Sequence, residues 1–152
     1  MKLFRLSGLM LMLIALTACV EDLTADDTRA FQILARGESA QTDDKQIRVL
    51  SSQSSYDEVF YQVLNRSGSP DTINFEQYQV LLVMAGAAYN TRRLDVVSFV
   101  GMDKQVQVLL KTEYAGANCV APAVVRQPWM LVLFPKVEKP LQLTEQVNVI
   151  NC

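Results

Sequence analysis

The side chains best placed for covalent chemistry in this 152-residue chain are its three cysteines. Cys19 stands where an apolar run, residues 9 to 16, gives way to Glu21 and Asp22. A thiolate alkylates readily near neutral pH, and the small residues Thr17 and Ala18 before it would let an extended chain enter a peptidase site. If Cys19 is modified, Cys119 and Cys152 remain as an even pair. In an oxidising compartment they would join, closing a loop of roughly 34 residues worth about 3.8 kcal/mol in the chain-entropy model. Two separate thiols, with Cys119 free to react, is the alternative. The chain has no histidine, which removes the usual general base of Ser and Cys hydrolases and the commonest nitrogen ligand for zinc or copper. With no clustered nucleophile and base, and no carboxylate pair in evident register, the expectation is a protein that is not an enzyme and has no catalytic residue, no cofactor and no metal. Asp26-Asp27 and Asp43-Asp44 lack the alternating acids and glycine of a calcium loop and read as solvated acids.

The segment before Cys19 has the layout of a targeting sequence. Lys2 and Arg5 give a short positive start, and the apolar run that follows is shorter than the roughly 20 residues needed to span a bilayer. Leu16-Thr17-Ala18-Cys19 resembles the lipobox of bacterial lipoproteins. That resemblance implies removal of residues 1–18 as a signal peptide, a diacylglyceryl thioether on Cys19, and palmitate-type acylation of the new amino terminus. Two or three acyl chains are needed, since one anchors only marginally. Val20 rather than Asp after the lipidated residue favours the outer membrane, facing the periplasm. An ordinary secretory signal with an incidental Cys19 is the competing expectation.

Residues 19–29 are acidic and poor in apolar side chains, which fits a lipidated tether. Residues 30–152 are enough for one domain. Loss of Lys2 and Arg5 with the signal would take the formal charge from −2 to −4, so a nucleic-acid surface is not expected.

Hydrophobic period then sets the elements. "AFQILARGES" and "KQIRVLSS" read as strands around a polar turn at residues 40 to 44. Ser55 to Glu58 fits a capping box, and Tyr56, Val59, Phe60, Val63 and Leu64 follow at helical spacing, predicting one short amphipathic helix over about 55–64. Asn65 to Pro70 stops it, and Asn65-Arg66-Ser67, formally a sequon, is only a turn. "QVLLVMAG" is a continuous apolar run of central-strand length. "RLDVVSFV" follows a loop containing Tyr89, Asn90 and Thr91. "KQVQVLLKTEY" alternates with Val106, Val108 and Leu110 on one face. "QPWMLVLFPK" and "EQVNVINC" complete the set. Short strands with one helix predict a compact, mainly antiparallel β-sandwich or partly open barrel, the helix covering an end or an edge. Trp129 is expected in the core.

With these elements in order, residues 31 to 135 resemble the PrcB-like family of lipoproteins, named for a subunit of a spirochaete surface protease complex. The likeness lies in an early strand pair, the helix "SYDEVFYQVL", the stretch "INFEQYQVLLVMAG", an alternating strand, and a last strand from Pro128-Trp129 to Pro135. The chain departs from the pattern at Thr91-Arg92-Arg93-Leu94, where the family has Thr-Gly-Gly-Tyr, and at Asn74-Phe75, where it has Asp-Phe. Glycines would permit close backbone approach that two arginines do not. A contact made there by the family would be lost or replaced by a cationic one.

Two functions are compatible with this reading. One is a lipid-anchored binding or assembly module of the envelope that stabilises a partner such as a protease. The other is a protease inhibitor presenting an inter-strand loop, as chagasin-like proteins do, with Asn90-Thr91 echoing part of that loop. Both place the partner-binding residues at Tyr89, Asn90, Thr91, Arg92 and Arg93, where adjacent arginines would suit acidic groups.

Overall fold

A computed structural model describes residues 31–88, 90–120 and 124–152. The signal segment, Cys19 and the acidic tether therefore lie outside the described residues. The elements, in chain order, are β1 (Gln32–Gly37), β2 (Gln46–Leu50), α1 (Gln53–Glu58), β3 (Tyr78–Met84), β4 (Thr91–Gly101), β5 (Val106–Ala115), β6 (Trp129–Pro135) and β7 (Leu141–Ile150). The strands form a four-stranded sheet, β1-β6-β3-β2, and a three-stranded sheet, β4-β5-β7. The described residues make a β-sandwich with no closed barrel.

The apolar run of β3 records its place in the middle. Leu81 and Val83 point inward, where they meet Met130, Val132 and Phe134 of β6 and, from the opposite sheet, Leu94, Val96, Phe99, Val106, Val108 and Leu110. Val80, Leu82 and Met84 point outward and pack with Tyr56, Val59 and Leu64 of the helical segment. A strand covered on both faces needs apolar side chains at every position, whereas β5, covered on one face, alternates: Val106, Val108 and Leu110 are buried and their neighbours are partly exposed. The fold is thus three layers, helix on sheet on sheet. The helix lies on the outer face of the four-stranded sheet, not at an end or edge, because a flat central strand with two apolar faces offers more surface to bury than an edge does.

Several local expectations shift. The N-cap is Ser52, whose side chain accepts from the Ser55 amide, while the Ser55 hydroxyl donates back to the Ser52 carbonyl at 2.9 Å. The serine at the third helical position binds the N-cap carbonyl rather than its amide, so only the first half of a capping box forms, and the helix begins earlier than the Ser55 pattern predicts. The winding widens to π-type over Val59–Val63, with the Leu64 amide donating to the Val59 carbonyl. Asn65, at φ 48°, then ends the helix in the left-handed conformation.

β1 and β2 do not pair with each other. They form opposite edges of the larger sheet, and the connection between them is held by bonds from the Gln41 amide to the Val63 carbonyl and from the Ala87 amide to the Asp43 carbonyl. Gly86, at φ 82°, would bring a side-chain Cβ to 3.1 Å from the Asp43 carbonyl oxygen, so it marks a turn that needs glycine. β7 runs parallel to β5. The chain crosses to the other sheet as β6 between them, so it returns in the direction in which β5 left.

Candidate functional site

Ion pairs fix how the two sheets are superposed. Arg36 on β1 lies 3.7 Å from Asp95 on β4, so these edges share one side of the sandwich. Lys45, just before β2, pairs with Glu145 on β7 and marks the other side.

On the first side the edges part around a cleft of about 290 Å³ lined by Arg36, Gly37, Glu38, Arg92, Arg93, Leu94, Pro128 and Trp129. Its floor is built by close approach. Gly37 sits against the Trp129 ring, where any Cβ would fall 2.6 Å from the indole, and the indole N–H donates to the Ser39 carbonyl at 2.8 Å. Trp129 is buried, so it is core, as its position beside Pro128 suggests, and its edge also supplies the wall of the cleft.

The two adjacent arginines share the cleft because of a bulge. In the β4–β5 ladder Thr91 faces Tyr114 and Arg93 faces Glu113, leaving Arg92 as the extra residue. At plain strand dihedrals the two would point to opposite faces; the added residue re-aims one of them. Both are exposed. Arg93 pairs with Asp95, which also serves Arg36, so one carboxylate is shared by two guanidiniums. Arg92 donates to the Val120 carbonyl at 2.9 Å and has no ion-pair partner among the described residues. Glu38 is held by Arg126 at 3.2 Å. Lys111, by a hydrogen bond and by its charge, holds the Glu113 carboxyl below the usual range, with Asn148 and Arg93 adding to the effect.

Of the residues singled out in the sequence, Arg92 and Arg93 line the cleft and Asn90 is exposed at its approach. Thr91 is 1% exposed, and its hydroxyl has no partner among the described residues, so its side chain is not displayed. Tyr89 lies outside the described residues. The strand β4 begins at Thr91, which shortens the loop and puts both arginines on rigid backbone. Arg36, Gly37 and Glu38 are not legible as site residues, because they reach the cleft only through the β1–β6 and sheet-to-sheet pairings. The Arg-Gly step at the end of an apolar strand is the only local signal, and it is weak.

Cys119 and Cys152 form a disulfide with Cα atoms 4.9 Å apart. It ties the end of β7 to the turn after β5, where the Gly116 amide donates to the Ile150 carbonyl at 2.8 Å.

On the second side, the Glu145 carboxylate accepts from Lys45 and, at 2.6 Å, from the Thr112 hydroxyl. Both hold its carboxyl below the usual range, Lys45 most strongly. A carboxyl whose pKa falls on folding stabilises the fold above its unfolded value and loses that contribution as pH drops through the folded one. Lys45→Met is therefore expected to cost about 0.5–1 kcal/mol near pH 7, the exposure of the pair keeping the effect small. The gap between the parent and variant melting curves should close at acid pH, below the unfolded glutamate value of about 4.3. A gap unchanged at pH 3 would assign the loss to packing of the lysine stem.

Among the described residues no group of three or more cysteine, aspartate or glutamate side chains is placed to hold a metal ion, and no helix is long and apolar enough to cross a membrane. No family model, no curated protein and no solved structure matches this chain.

Proposed function

We propose that this protein is a lipid-anchored binding module of the bacterial envelope that docks an acidic surface of another protein in the cleft between β1 and β4. The observation that carries the reading is the charge arrangement there: Arg36, Arg92 and Arg93 converge on a cleft in which Arg36 and Arg93 share Asp95, while the nearby Glu38 and Glu113 are each held by another cation. This local excess of positive charge sits in a chain whose formal charge is −2. Guanidinium groups match carboxylates bidentately, and an apolar wall beside them lowers the dielectric that would otherwise screen the pairing. The lipobox at Leu16–Cys19 supplies the anchor, and the PrcB-like strand pattern agrees with a subunit that supports a partner, such as a protease, rather than one that performs chemistry.

The test uses the full chain expressed in bacteria and extracted in detergent. Intact mass should show a polypeptide beginning at Cys19 and carrying acyl chains. Replacement of Arg92 and Arg93 together by Ala should leave the circular dichroism spectrum unchanged and reduce recovery of the bound partner about tenfold or more, the usual scale for arginines at the centre of an interface. Unaltered recovery would return both arginines to the solvated surface. Once a protease partner is in hand, a supporting subunit lengthens its lifetime, whereas an inhibitor blocks peptide hydrolysis at near-stoichiometric amounts.

A further inference from the structure

The four open strand edges of the sandwich are not alike. β1 carries a bulge between Ile33 and Ala35 and ends in Arg36-Gly37. β2 has five residues and an exposed Arg48. β4 carries two bulges and three charged residues, Arg92, Arg93 and Asp95. These are the devices that blunt an edge against pairing with another chain. β7 has no bulge, no proline and no glycine, and carries a single charge. Its ten residues run in unbroken register from Leu141 opposite Val106 to Ile150 opposite Ala115. Its only charge, Glu145, is already neutralised by Lys45.

The register also shows which backbone groups are open. Val106 donates to the Pro140 carbonyl and Gly116 to the Ile150 carbonyl, so the even-numbered residues of β7 turn their N–H and C=O groups toward β5. In a parallel ladder the alternate residues face the other way. Leu143, Glu145, Val147 and Val149 thus turn their backbone groups away from β5, toward no strand among the described residues. Their side chains lie on the same face as Val108, Leu110, Thr112 and Tyr114, the inner face of the sandwich, yet Val147 and Val149 are 57% and 58% exposed. The inner-facing Val49 on β2, opposite Leu81 in the ladder, is exposed as well.

We infer that β7 is a strand-acceptor edge: an extended, uncharged segment of a partner protein, apolar at alternate positions, adds to it as the fourth strand of the β4-β5-β7 sheet. The larger sheet has four strands and the smaller three, so one strand position about 4.8 Å wide remains on the side where Lys45 meets Glu145. A strand there would take the open backbone bonds of β7 and lay alternate side chains over Val49, Val147 and Val149. The charge pattern selects an uncharged segment, because the single acid on this edge has its counter-charge within the chain. A second copy paired through its own β7 would bring its own wider sheet into the same space, so a lone segment fits where a whole sandwich does not. This surface is on the opposite side from the arginine cleft and does not depend on it.

The experiment places a photo-crosslinking amino acid at Val147 or at Val149 in the full, membrane-attached chain, with Val97 as a control position. The expected result is that both β7 positions cross-link to one foreign segment, at sites two residues apart, and that Val97 does not. Leu143→Pro removes an outward amide and leaves the β5 ladder whole, so it should lower the cross-link yield about tenfold with an unchanged melting temperature. Thr144→Pro, which removes an inward amide, should lower the melting temperature instead. Should Leu143→Pro fail to fold, Leu143→Lys puts a charge on the same edge and should give the same loss. Cross-links to a second copy of this chain, scattered cross-links, or none would each overturn the proposal.

Discussion

Phe99→Ala is expected to cost about 3–5 kcal/mol of folding stability, the range for removing a buried phenylalanine from a core. Phe99 is fully buried, with its ring stacked 5.0 Å from Phe134 of the opposite sheet and tilted 5.3 Å from Phe31. It is therefore the side chain through which β4 grips β6 and the segment before β1 together. Because a domain of this size has only about 5–15 kcal/mol in hand, the variant should sit near its unfolding threshold. Urea titration of parent and variant would measure it, with an unchanged slope showing that the unfolded state is not altered. Phe99→Leu keeps most of the volume and should cost far less. A loss below about 1 kcal/mol for the alanine variant would mean that the two sheets close over the cavity, and so are free to slide on one another.

Cys152→Ser should cost about 2–4 kcal/mol, with the entropy of the loop in the unfolded chain as the main source. The folded state should also respond, and locally. The bond from Gly116 to Ile150 and the disulfide beside it are what hold the end of β7. The β5-facing amides of residues 146, 148 and 150 should therefore exchange faster in the variant, while those of β5 residues between 106 and 112 keep their protection. Non-reducing peptide mapping of the parent should recover Cys119 and Cys152 in one linked fragment. Recovery of both as free thiols from the native oxidised protein would defeat this prediction, as would uniform exchange along β7 in parent and variant.

The parts of this fold legible in the sequence are those governed by neighbours in the chain. Val106, Val108 and Leu110 alternate because β5 has one covered face, and the unbroken apolar run at Val80–Met84 belongs to a strand covered on both. Parity and compartment point to the Cys119–Cys152 pair. What the local pattern does not carry is long-range. Nothing in "ARGES" or "QIRVL" says that β1 will pair with β6 while β2 takes the far edge, since a strand's pattern states which face is apolar but not which neighbour supplies its hydrogen bonds. The same holds for the cleft. Arg92 and Arg93 attract attention by being adjacent, but the bulge that turns them together depends on their register with Glu113 and Tyr114. Val147 and Val149 alternate like buried residues and are left uncovered, because the pattern cannot show that the opposite sheet does not shelter them.

The pairing of β1 has a consequence for the order in which the molecule can assemble. Gln32 faces Leu133 and Gly37 faces Trp129, so β1 gains its ladder partner only when residues 129–133 are available. β3 draws its second neighbour from the same late strand, and β5 gains its parallel neighbour only from Leu141–Ile150. A chain emerging amino terminus first can form the β2–β3 pairing, which spans the helical segment, and the β4–β5 hairpin early, but the central position of the larger sheet stays vacant until residues 129–135 arrive. Contacts so distant in sequence carry a large loop-closure entropy and place β-rich folds at the slow end of the two-state range. Folding should be limited by insertion of β6 between β1 and β3, and fragments ending before Trp129 should remain without a stable sandwich however intact their hairpins are.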